Sequence, residues 1–270
     1  MKIAALFIAV FFAGEAACSK CPAEQRQIKG EESPPFTQST TSAVITGEGL
    51  EKYQALKDEI EKRRTGFEAA YRKAGSRVER EKTIKEAGEY VRKSIINDLI
   101  PFWFGTKWDF NGHSENPGEG TISCGVFVTT LLRHAGFRIP RIAMSQQPAE
   151  FIAMNLMSEN SIKRFPNLEF VDFLKTIRKM GPAFYIVGLD NHVGFLDSDG
   201  KGICFHHSSF LKPIEVIKEN AEESSILQYS KYRMVGNLAD EGLIRKWITG
   251  KKIQITCDWF KSKKCPRAKK

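Results

Sequence analysis

The chain has 270 residues and a formal net charge of +9, with 41% hydrophobic and 11% aromatic residues. That is enough apolar material for a packed core of ordinary size, in one large domain or one domain with appendages. The basic balance points to an anionic partner, such as a wall polymer, a membrane surface or nucleic acid, and charge alone does not choose among them.

Lys2 is followed by an apolar run from Ile3 to Ala13 and then by Gly-Glu-Ala-Ala-Cys. A charged start, a short apolar region and small residues are the layout of a secretory signal, here residues 1–17. The run is too short to span a bilayer. Cleavage before Cys18 would make that residue a candidate for lipidation, as in bacterial lipoproteins, although Glu15 stands where a lipobox usually has Leu. Simple secretion is the alternative. Both readings put the mature protein outside the cytoplasm, in the periplasm or beyond, held at most by a membrane anchor through Cys18. Residues 18–46 are polar, with Pro34-Pro35 and a Thr/Ser run, and read as a flexible tether.

Residues 47–100 carry apolar residues three or four apart (Leu50, Tyr53, Leu56, Ile60, Phe67; then Ile84, Ala87, Val91, Ile95, Leu99), which predicts two helices broken at Gly75-Ser76. Pro101 is expected to end the second, since the residue before proline disfavours helix. The core is expected from residue 101 to 237. It opens on a dense aromatic run, Phe102, Trp103, Phe104, Trp108 and Phe110, followed by an Asn111-Gly112 turn. Most such aromatics are core, but Trp108 and Asn111 stand where one wall of a substrate groove would be.

A helical pattern then starts abruptly at Cys124, with Val126, Phe127, Thr130, Leu131 and His134 on one face, Ser123 at the N-cap and Gly136 suited to a left-handed C-cap. A thiol at a helix start meets unpaired amides and the positive end of the helix dipole, which favour thiolate. Ser123 is a candidate for substrate contact beside it. After a linker from Arg138 to Gln147, helices are predicted at 148–157 and 168–180. Strands follow at 183–189, 192–196 and 201–207, with one or two more between 225 and 235, and a last helix at 238–248 precedes a basic, solvated tail. Helices followed by an antiparallel meander predict an α+β fold.

Of the six cysteines, Cys204 reads as core, Cys257 and Cys265 flank a loop that a disulfide would close, and Cys124 is left free. No paired Cys-x-x-Cys spacing calls for structural zinc.

Two histidine sites sit on the meander: His192, opening a strand, and the His206-His207 pair, ending the next. Neighbouring antiparallel strands lay such residues side by side. Side chains alternate faces, so only one of the pair can serve beside His192; His207 is the choice and His206 the fallback. An imidazole that takes the thiol proton, oriented by a third polar group, is what a cysteine nucleophile needs. His113 and His134 read as ordinary structural residues.

The pieces Ile122-Ser-Cys-Gly-Val-Phe-Val128, Leu131-Leu132 with Ala135-Gly136-Phe137, His192-Val-Gly-Phe195 and Phe205-His-His-Ser-Ser209 resemble the NlpC type of papain-like cell-wall cysteine peptidases and the related CHAP amidases. The resemblance covers roughly residues 101–210. It implies a papain-like α+β core and cleavage of amide bonds in peptidoglycan stem peptides without a metal or other cofactor. Carried over by position, Cys124 is the nucleophile, His192 the base and His207 the orienting residue. The chain departs from the family in having Ser123 where Asp is usual and Gly125-Val126 where Ser-Gly is usual. The implied partner is peptidoglycan or another peptide-containing wall polymer; no nucleic acid is expected. Two other readings use the same residues: a non-catalytic wall-binding module on the same fold, and a metal site built from Cys124, His192 and one of the pair.

Overall fold

A computed structural model of the chain describes residues 45–262. The expected signal peptide, Cys18, Cys21, Cys265 and the basic residues after 262 lie outside the described residues, as does the tether through residue 44.

Helices α1 (Gly47–Lys73) and α2 (Arg77–Lys93) form where the periodicity places them. Each starts on a hydroxyl: Thr46 accepts from the Gly49 amide and Ser76 from the Glu79 amide. Their buried residues, including Tyr53, Ile60, Ile84, Ala87 and Val91, join one core with the Cys124 helix. Pro101 does not end the helical run. The turn before it widens into a π-helical segment, Ser94–Leu99, in which the Ile100 amide reaches the Ile95 carbonyl. The short helix α3 (Ile100–Trp103) then begins with Pro101 in its first turn, where a missing amide costs nothing.

Helix α4 (Cys124–His134) ends as expected: Gly136 has φ +93°, its amide bonds the Arg133 carbonyl, and the Phe137 amide bonds that of Leu132. The expectation of a single inward face was too modest. Thr129, Val128 and Leu132 are buried as fully as Val126 and Phe127, because α4 is packed between the sheet and the other helices. Helix α5 (Arg141–Ser145) interrupts the expected linker, and α6 (Ala149–Leu156) follows.

Strand β1 (Ile162–Pro166) precedes helix α7 (Phe170–Lys179). Then come β2 (Ala183–Leu189), β3 (Val193–Ser198), β4 (Ile203–Ser208) and β5 (Val216–Asn220). Of the region expected to hold one or two strands, Ser225–Tyr229 is helix α8, and a single strand, β6 (Tyr232–Asn237), comes after it. Helices α9 (Glu241–Ile248) and α10 (Trp259–Ser262) complete the described chain. The strands make one antiparallel sheet in the order β1-β6-β2-β3-β4-β5, so the fold is α+β. One face carries α4 and the N-terminal helices around Phe127, Phe184 and Phe195; the other carries α7 and α8 around Phe173, Phe205 and Leu227. Burial on both faces explains why β2 and the first halves of β3 and β4 read as apolar runs and not as alternating ones.

Candidate active site

The loop before α4 is fixed by main-chain bonds: the Ile122 amide donates to Lys107, the Ser123 amide to Gly112, and the Ser208 hydroxyl donates to the Ile122 carbonyl at 2.8 Å. These bonds tie the start of α4 to the end of β4. Ser123 takes the N-cap position, but its side chain makes no capping bond. Cys124 follows as the first helical residue, half-buried, and is the free cysteine among the described residues. Cys204 and Cys257 are disulfide-bonded, so Cys204 is a buried bridge residue and not the plain core thiol its strand context suggested.

The thiol does not rest as the thiolate that the helix start alone would favour. Burial raises its pKa; the main-chain amides of Val193, Gly125 and Cys124 itself face the sulfur and offset part of that rise. The Val193 contact matters for geometry, because Val193 is the residue after His192. Cys124 and His192 line the same cavity, which has a volume of about 1080 Å³.

His192 ends a tight turn ahead of β3, closed by the bond from the Leu189 amide to the His192 carbonyl. Asp190 anchors that turn. Its carboxylate accepts from the Lys231 amide at 2.6 Å, the Ser230 hydroxyl at 2.9 Å and the Tyr232 amide. Burial would raise the Asp190 pKa, but these donors hold it below the usual carboxylate range.

Nε2 of His192 lies 2.9 Å from Nδ1 of His207, and Nε2 of His207 lies 3.1 Å from Oε1 of Glu219 on β5. Nδ1 of His192 is buried without a hydrogen-bond partner. Phe205 stacks on His207 at 4.0 Å, and Phe210 meets the His192 ring edge-on at 5.3 Å. Gly194 makes this assembly possible: a Cβ there would lie 2.5 Å from the Phe205 ring and 2.9 Å from the His207 Cβ. Burial holds His192 well below the usual imidazole range. His207 is also lowered by burial, with Glu219 pulling it partly back. Both rings are therefore neutral near pH 7.

His206, the fallback, points to the opposite face of β4. Both its nitrogens are buried without partners, and burial lowers its pKa to about 3. His134 is structural as expected, accepting at Nδ1 from the Tyr53 hydroxyl, which in turn accepts from the Trp103 indole. The exposed His113 lies on the cavity lining.

Trp108, Asn111 and Ser123 all line the cavity with Cys124. Trp108 packs on Phe210 at 6.1 Å, extending the wall that covers His192, and its indole N–H is buried without a partner. Trp103, by contrast, is fully buried core.

Sequence reasoning missed three contributors: Asp190, Glu219 and the C-terminal segment. Lys251, Lys252 and Lys261 are exposed, as a solvated tail implies, but the residues between them pack on the fold. Asn155 accepts from the Thr256 and Cys257 amides, Gln147 accepts from the Trp259 amide, and Trp259 and Phe260 line the cavity together with Trp108 and Phe110. Two adjacent aromatics in a basic stretch were the available signal. Despite the net charge of +9, among the described residues the charged ones lining the cavity are Glu150 and Asp190, with no Lys or Arg.

No group of three or more His, Cys, Asp or Glu side chains among the described residues is arranged to hold a metal ion. No described helix is long and apolar enough to cross a membrane. No family model, curated protein or solved structure matches the chain.

Proposed function

We propose that this protein is an exported cysteine hydrolase with a papain-like core of the NlpC type, which cleaves amide bonds in peptidoglycan stem peptides or cross-links. One observation carries the reading. A free thiol at the start of a buried helix shares a cavity with a histidine whose Nδ1 has no partner and whose Nε2 is held by a second histidine. A buried ring nitrogen without a partner is uncommon, and this one belongs to a residue that lines the cavity of the free thiol.

In the proposed reaction His192 Nδ1 takes the Cys124 proton as the sulfur attacks the amide carbonyl. The Cys124 main-chain amide at the head of α4 donates to the developing oxyanion; one such donor is worth on the order of 10²–10³ in rate. His192 then returns the proton to the leaving amine, and water, deprotonated by the same ring, hydrolyses the thioester. Among the described residues the cavity lining has no Lys or Arg, which suits a peptide better than a phosphate-rich polymer; in this reading the net positive charge helps hold the enzyme on an anionic wall.

A second reading has its own support. Phe110 and Phe260 are 79% and 68% exposed at the cavity rim, as expected of a surface that holds wall fragments without cutting them. Incubating the mature protein and its Cys124→Ala variant with isolated peptidoglycan, and reading released fragments by mass spectrometry, separates the two. Fragments from the native protein alone are expected. No fragments, with both proteins pelleting with the wall, would replace the hydrolase by the binding module.

A further inference from the structure

Strand β5 brings the Glu219 carboxylate to the far side of the histidine pair. A carboxylate oxygen accepts and does not donate, so His207 Nε2, 3.1 Å from Glu219 Oε1, carries a proton. The His207 ring is buried and neutral, so its Nδ1 is bare. A bare Nδ1 accepts, so the proton in the 2.9 Å contact belongs to His192 Nε2. His192 is neutral as well, which leaves its Nδ1, the buried atom without a partner, as a free lone pair.

The contact between the two histidines does not by itself choose this arrangement. The reversed network, with His207 Nδ1–H donating to His192 Nε2, satisfies the same contact. It would place a proton on His192 Nδ1, where a base must have none. Phe205 and Phe210 fix the ring planes but cannot distinguish the nitrogens. Glu219 is what breaks the symmetry.

We propose that Glu219 is a positioning residue that fixes the tautomer of His207 and, through it, that of His192, keeping His192 Nδ1 open to accept the Cys124 proton. This rests on the reading of Cys124 as nucleophile and His192 as base. During the transfer the S–H bond breaks, the sulfur keeps the electron pair and an Nδ1–H bond forms. His192 becomes an imidazolium whose Nε2–H still donates to His207, with Glu219 supplying the opposing charge beyond it. The proton leaves again from Nδ1 to the departing amine.

The test does not require the natural substrate. The rate at which iodoacetamide alkylates Cys124 at pH 7, located by peptide mass spectrometry, is compared among the native protein, Glu219→Leu, Glu219→Gln and His192→Ala, with circular dichroism confirming that each is folded. The side chain of Glu219 is 26% exposed, so replacement leaves no large cavity. Nitrogen-15 shifts of His192 and His207 report the tautomers directly. Glu219→Leu is expected to slow alkylation about tenfold, a part of the roughly 10²–10⁴-fold that a general base supplies, and to give His192 a population protonated at Nδ1. Glu219→Gln, whose amide oxygen can still accept from His207, is expected to recover most of the rate and the native tautomers. A Leu variant with native rate and native tautomers overturns the proposal, as does a Gln variant no better than Leu. If His192→Ala alkylates as fast as the native protein, the base assignment itself fails, whatever Glu219 does.

Discussion

Replacing Gly125 by Ala sets two well-understood effects against each other beside Cys124. Gly125 is the second residue of α4, and alanine is the better helix former by up to about 1 kcal/mol. On propensity alone the variant is stabilised. Packing opposes this: a Cβ at Gly125 would lie 2.5 Å from the Ser145 carbonyl oxygen and 3.4 Å from its carbon. Ser145 ends α5, and a main-chain carbonyl cannot swing aside as a flexible side chain would. Overpacking of this kind costs about 1–3 kcal/mol. The net expectation is a loss of about 1–2 kcal/mol, which for a chain of this size lowers Tm by roughly 2–8 °C. Because α4 must shift to relieve the contact, Cys124 moves with it, and its alkylation rate and any hydrolytic activity should fall. Urea or thermal unfolding measures the first effect and iodoacetamide kinetics the second. An unchanged or raised Tm would mean that the α4–α5 contact relaxes freely, and would refute the argument that this glycine is required by close approach.

Acid should destabilise the protein well above the carboxylate range. His134 and His206 are buried and lowered to about 3, against about 6.5 in the unfolded chain. The unfolded state therefore binds more protons below pH 6.5, and stability present above that value is lost as pH falls toward 3. The two together contribute about 3 kcal/mol per pH unit once well below pH 6.5, and His192 and His207 act in the same direction. Urea midpoints at pH 7 and pH 5.5 check this, and equal midpoints contradict it. Arg92 reaches from α2 to Asp197 on β3 with two bonds of 2.7 and 2.9 Å, and the Asp197 side chain is only 6% exposed. Arg92→Ala should cost about 2–4 kcal/mol in urea unfolding by leaving that carboxylate buried and unpaired. A loss under 0.5 kcal/mol would show that Lys218, also beside Asp197, suffices alone. Gly194→Ala should displace His207 and lower activity at least tenfold through the 2.5 Å clash with Phe205; native turnover in that variant would detach the histidine pair from the chemistry.

The amino-acid sequence was enough to place α1, α2, α4, the central strands and the order Cys124, His192, His207. α4 and the central strands bury most of their side chains, and α1 and α2 bury one stripe at helical spacing, so the apolar period is written into each one. The two strands it missed, β1 (Ile-Lys-Arg-Phe-Pro) and β5 (Val-Ile-Lys-Glu-Asn), are the two edges of the sheet. Edge strands carry charge and proline to discourage further pairing, and so lack the pattern that marks a strand in the sequence. Missing β5 meant missing Glu219, which reaches His207 only because β4 and β5 pair in this register. The same limit applies to the thiol. Position at a helix start argues for thiolate, but burial in the folded protein reverses the balance, and the Val193 amide that offsets part of it also comes from far along the chain. Local spacing singles out candidate residues. Their protonation, tautomer and neighbours depend on long-range packing, which only the tertiary structure supplies.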